Sequence, residues 1–99
     1  MNILDRGFII VRPKQAFVDW ANQQDDEFQI DLNAEPSVYL IEEDFFEVEP
    51  IIERHYKMIF ECELAAVSDN EDGFPEIKMD VFKEWFSLEL GSTVVDLEE

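Results

Sequence analysis

Carboxylates constrain this chain more than any other feature. Its 99 residues carry 25 Asp and Glu against 7 Lys and Arg, a formal net charge of −18, yet 46% of them are hydrophobic. An acidic chain poor in apolar residues stays disordered, because burial cannot offset its chain entropy; one this rich in them can fold. The fold must keep its carboxylates outside and gather the apolar side chains on a few sharply patterned elements. The same charge repels bare nucleic acid and anionic membranes, which argues against direct binding of either. A basic protein is the partner it favours.

The length suits a single globular domain, residues 1–99, with one core. Nine Phe, two Trp and two Tyr supply that core, since each aromatic can bury about 150–250 Å². The single cysteine, Cys62, excludes an internal disulfide and fits a reducing compartment. Met1 to Arg6 lacks a basic start followed by an apolar run, so no secretory signal is expected. No apolar stretch approaches the roughly 18 residues of a membrane span. These features together predict a cytoplasmic protein. The oligomeric state is left open.

Hydropathy patterning predicts the elements. Gly7-Phe8-Ile9-Ile10-Val11 is a short, β-branched apolar run and reads as a strand buried on both faces. Pro13 suits the first turn of a helix, where its missing N–H costs nothing. Ala16, Phe17, Trp20 and Ala21 then share one helical face, predicting a helix to about Gln23. After the acidic break Asp25-Asp26-Glu27, alternation of Phe28, Ile30 and Leu32 allows a short edge strand. Ser37 to Ile41 is a second buried-strand candidate. The longest helix is expected from Val48 to Val67, with Val48, Ile52, His55, Ile59, Cys62 and Ala66 as its apolar stripe. Asp80, an N-cap candidate, opens a third helix bearing Val81, Phe82, Trp85 and Phe86. Thr93 to Leu97 is the last strand. Phe86, Leu88 and Leu90 also fit a strand, joined to that one by a Gly91-Ser92 hairpin turn. The expected class is α/β or α+β, in β-α-β-α-α-β order. The sheet has three or four strands with helices packed on it, and strand–helix–strand order favours parallel pairing.

Motifs that carry chemistry are sparse. Asp69-Asn70-Glu71-Asp72-Gly73 resembles part of a calcium loop, but Ser68 stands at its opening position and Met79 at its closing one. Both ends therefore lack the carboxylate that such a loop requires, and a plain acidic turn is expected. His55 and Cys62 lie seven residues apart on one helical face, where a core cysteine beside a marginal histidine is the simpler reading than a metal pair. No metal, phosphate-loop or nucleophile-elbow motif is present, and no cofactor is expected. Glu42, Glu43 and Asp44 follow a strand and Arg12 follows another, so parallel neighbours would bring them together, with Asp96 as a further carboxylate. Trp20 and Trp85 sit at core spacing; an exposed Trp85 would be a protein-binding anchor. Crowded carboxylates are expected to have raised pKa values in the folded state, and salt is expected to stabilise it.

Arg12-Pro13 after the first strand, Trp20, Val38 to Ile41, Phe82 with Trp85-Phe86, and Val94-Val95-Asp96-Leu97 together resemble a family of small acidic bacterial proteins of unknown function. The resemblance spans nearly the whole chain. It implies a bacterial cytoplasmic protein and transfers no catalytic residue. The expected function is a non-enzymatic interaction or regulatory role toward a basic protein. The alternative is a small enzyme or accessory subunit with a carboxylate cleft, using a divalent metal or none. The residues singled out for binding are Arg12, Glu42, Glu43, Asp96 and Trp85; none is assigned to catalysis or to a metal.

Overall fold

The computed structural model describes residues 1–24, 29–44 and 46–98. The Asp25-Asp26-Glu27 break, Phe28 of the expected edge strand and Glu99 lie outside them. The elements are β1 (Asn2–Leu4), β2 (Gly7–Pro13), α1 (Gln15–Gln24), β3 (Ser37–Ile41), α2 (Val48–Ala65), a 3-10 turn (Glu71–Gly73), α3 (Met79–Trp85), β4 (Phe86–Gly91) and β5 (Val94–Asp96). The described residues thus form an α+β fold of three α-helices and two antiparallel sheets. One sheet has the order β3-β2-β4, and the other is a β1-β5 ribbon.

The expectation of parallel pairing is corrected. Val11 of β2 faces Ser37 of β3, and Gly7 faces Ile41, so the two strands run antiparallel. The connection between them explains this. A ten-residue α1 covers about 15 Å, and Ser37 opens β3 beside Val11, at the end of the sheet where β2 finished. Between the two strands the chain thus makes a round trip, where a crossover would make a single pass.

Antiparallel pairing also changes which strand faces are buried. Along β2, Gly7, Ile9 and Val11 are buried while Phe8 and Ile10 are only half-buried. Along β3, Tyr39 and Ile41 face the core, whereas Val38 and Leu40 are exposed. Both runs look two-sided in sequence, yet the helices pack on one face and leave the other to solvent.

The core is aromatic. Phe17, Trp20, Phe60, Phe82, Trp85 and Phe86 interlock with centroid separations of 4.8–6.3 Å, mostly tilted or edge-on. Such geometry sets the positive ring edge against the negative face. Ile9, Val11, Ile41, Ile51, Ile52, Ile59 and Leu64 fill the space between rings and sheet. The Trp20 Nε1–H donates to the Gly73 carbonyl at 2.9 Å and ties the 3-10 turn to α1.

The chain differs from its hydropathy reading in four further places. Residues 29–32 form no strand. There Asn22 holds Ile30 instead, its Oδ1 accepting from the Ile30 N–H at 2.8 Å and its Nδ2 donating to the Ile30 carbonyl at 3.0 Å. The third helix stops at Trp85, and Phe86 to Gly91 is a strand, but its partner is β2 rather than the hairpin neighbour. The last strand, β5, pairs with β1, whose three residues carry no strong pattern of their own. Finally, the N-cap position of α3 falls to Lys78, whose side chain makes no cap bond, and Asp80 lies in the first turn, its carboxylate accepting from the adjacent Val81 N–H.

Candidate functional site

The antiparallel sheet separates residues that parallel strands would have joined. Arg12 lies opposite Ser87 near one end of β2, while Glu42 follows Ile41, which faces Gly7 at the other end. Five strand positions, about 17 Å, lie between those ends. Arg12 instead pairs with Glu89 on the neighbouring strand at 3.0 Å, and both side chains are exposed. Lys14 Nζ donates to the Lys83 carbonyl at 3.0 Å. Glu43 is exposed and has no ion pair among the described residues. Asp96 sits on β5 opposite Asn2, where its carboxylate accepts from the Glu98 N–H at 2.9 Å. Trp85 packs against Phe17, Trp20 and Phe60 as part of the core wall.

Glu42 is the one of these residues set in a defined polar cluster. Arg54 donates to its Oε1 at 2.6 Å, and His55 Nε2 meets its Oε2 at 2.8 Å. Hydrogen bonding from its own backbone N–H and then from His55 holds the Glu42 carboxyl below the usual range, with Arg54 adding charge attraction. This shift runs opposite to the one expected from crowded carboxylates. Further along, the Tyr39 hydroxyl bonds to the Glu63 carboxylate. Burial first, and then Glu63, raise the Tyr39 phenol above its ordinary value. Glu42 and Tyr39 together bind α2 antiparallel to β3.

Between these two clamps lies an apolar pocket of about 110 Å³, lined by Tyr39, Ile41, His55, Met58, Ile59 and Cys62. Leu40 also reaches it. Drug-sized ligands occupy pockets of about 300–1,000 Å³, so this one suits a side chain or two rather than a metabolite. Cys62 is exposed, which corrects the reading of a core cysteine. The buried stripe of α2 is Ile51, Ile52, Ile59, Phe60 and Leu64, rotated away from Val48 and Cys62. Among the described residues no three His, Cys, Asp or Glu side chains gather as a metal would require, and no helix is long and apolar enough to cross a membrane.

Sequence reasoning missed the open sheet face and the pocket beside it. The signal was present in the alternation of Phe8 and Ile10 with Ile9 and Val11, but both sets are apolar, so periodicity could not tell them apart. Met58, at 73% exposure, carried a clearer signal, being an apolar residue between Lys57 and Ile59 off the main stripe. Set against protein-family models, curated proteins and solved structures, the chain matches none, so its function is argued from this geometry.

Proposed function

We propose that this protein is a non-enzymatic interaction or regulatory protein whose acidic surface meets a basic protein partner. One observation carries the reading. The five ion pairs among the described residues engage only Glu42, Glu49, Glu76 and Glu89, and the chain as a whole has a formal net charge of −18. Most of the negative field is therefore uncompensated within the chain. A field of that kind steers and selects oppositely charged partners, while affinity comes from a few apolar anchors. The exposed Val38, Leu40 and Met58 supply such anchors.

The test is affinity enrichment with the tagged protein from an extract of its host, at low and moderate salt, with mass spectrometry of what is retained. One recurrent basic protein, lost progressively as salt rises, is the expected result. Retention that ignores salt, or no partner at either salt, overturns the charge-led reading. The alternative of a small enzyme or accessory subunit draws on the Glu42–His55 pair near the pocket. Calorimetric titration with magnesium and manganese tests it, and stoichiometric heat lost in Glu42→Gln would favour it.

A further inference from the structure

We infer that the free edge of β3 takes an extended, Lys- or Arg-bearing segment of a basic partner as an added strand. Alternate apolar side chains of that segment would enter the pocket between β3 and α2. The inference rests on the acidic-interaction reading and names the surface that would perform it.

The backbone phase comes first. β3 is an outer strand, hydrogen-bonded only to β2 among the described residues. The Lys14 N–H donates to the Trp85 carbonyl at 2.9 Å, in continuation of the β2–β4 register. Bonding alternates sides along an antiparallel strand, so the even-numbered residues of β2 serve β4 and the odd-numbered ones serve β3. Ser37, Tyr39 and Ile41 are then the β3 residues bonded to β2. The N–H and C=O groups of Val38 and Leu40 point to the open edge, and no described residue engages them.

The pocket lies on that same edge. Tyr39, Leu40 and Ile41 of the outer strand line one side of it, and His55, Met58, Ile59 and Cys62 of α2 the other. Met58 and Cys62 are exposed, so the pocket opens to solvent beside the last strand of the sheet. An added strand would set alternate side chains against Met58 and Cys62 and the others beside Val38 and Leu40.

Free edges in folded proteins are ordinarily closed by a charge within the strand, a proline or a bulge. β3 has none of these: Ser37 to Ile41 carries no charge and no proline, and its register with β2 is unbroken. The charges lie at its borders. Glu35, Glu43, Asp44 and Glu61 flank the strand and pocket in sequence, are exposed, and have no ion pair among the described residues. A second copy would bring another −18 against them. A segment with cations beside its apolar residues satisfies both the edge and its border.

The probe is an acetylated heptapeptide alternating Lys and Val, titrated into the full chain by calorimetry, with amide exchange followed residue by residue in NMR. Its controls are a block peptide of the same composition and an alternating Glu-Val peptide. Val38→Pro removes one outward N–H without touching the bonds to β2, and Val38→Ala keeps that N–H. The alternating Lys peptide is expected to bind, to slow exchange at Val38 and Leu40, and to bind Val38→Pro about tenfold more weakly than Val38→Ala. Slowed exchange in the unsubstituted protein carries the test if Val38→Pro does not fold. Equal binding of the block peptide without protection at Val38 and Leu40 overturns the edge site and leaves the acidic-interaction reading standing. No binding of either Lys peptide at low salt overturns both. Binding of the Glu-Val peptide, or a dimer in sedimentation that protects the same amides, assigns the edge to another occupant and overturns the inference.

Discussion

Gly91 illustrates how a single residue serves the open sheet face. A Cβ at that position would stand 2.5 Å from Phe8 Cζ and 2.7 Å from Phe8 Cε1. Its φ is not positive, so glycine is needed there for the ring that lies across the strand and not for backbone conformation. Gly91→Ala is expected to displace the Phe8 ring and cost about 1 kcal/mol, in the range of mild overpacking. In a Phe8→Ala background the same change should be neutral or stabilising, because alanine lowers unfolded-chain entropy. Denaturant titration of the double-mutant cycle measures the coupling. Cys62 gives a contrast. A core cysteine would be costly to replace, but the exposed Cys62 should tolerate Cys62→Ser within about 0.5 kcal/mol and react readily with a thiol reagent in the native state. Loss of the Trp20 bond to Gly73 in Trp20→Phe should cost about 1 kcal/mol, read from the denaturation midpoint.

At the scale of elements, the side chains of α2 tie together β3, α3 and β4. Phe60 and Leu64 point into the core at full burial, and Phe60→Ala should cost about 3–5 kcal/mol by opening a cavity among the rings. That is a large share of the 5–15 kcal/mol typical of a folded domain, and thermal melting should show it at once. Lys83 Nζ clasps α3 to α2 through Glu49 at 2.5 Å, and Glu42 clasps the end of β3 through Arg54 and His55. The Glu42 carboxyl is depressed in the fold. A depressed carboxyl contributes stability that is present above its unfolded value, about 4.3 for Glu, and lost as pH falls through the folded value. The stability gap between the protein and Glu42→Gln should therefore persist at neutral pH and close below about pH 4. Urea midpoints at several pH values check this, and a gap that stays constant into acid would refute it. The α2 stripe itself was legible in sequence only to within a rotation. Val48, Ile52, Ile59 and Cys62 share one face with Ile51, Phe60 and Leu64 beside it, and helical spacing does not say which half meets the sheet.

For the molecule as a whole, charge and shape act together. The radius of gyration is 14.8 Å, against about 13 Å for a compact chain of 100 residues. The two-stranded β1-β5 ribbon, with Ile3, Val95 and Leu97 exposed, accounts for part of the extension. A net charge of −18 compressed into this volume repels itself, and salt screens that repulsion over a Debye length of about 10 Å at 0.1 M. The melting temperature is expected to rise with sodium chloride in differential scanning calorimetry. No change with salt would mean that the five ion pairs, which salt weakens, balance the bulk repulsion.

Composition and local pattern determined much of this protein. They set the α+β class among the candidates, the approximate spans of two helices and the start of a third, two core strands, and an aromatic core free of disulfides. Each of these follows from nearest-neighbour chemistry, such as helical spacing, β-branched runs and proline at a boundary. Tertiary structure alone decided the direction of β3, the pairing of β4 with β2, the existence of β1, and which faces of apolar strands meet solvent. Those outcomes depend on where a return segment delivers the chain and which face the helices cover, and neither is written in any window of adjacent residues. The candidate edge site arises at that level. Val38 and Leu40 look like core residues in sequence, and only the placement of α2 over one face of the sheet leaves them, beside the off-stripe Met58, as a surface.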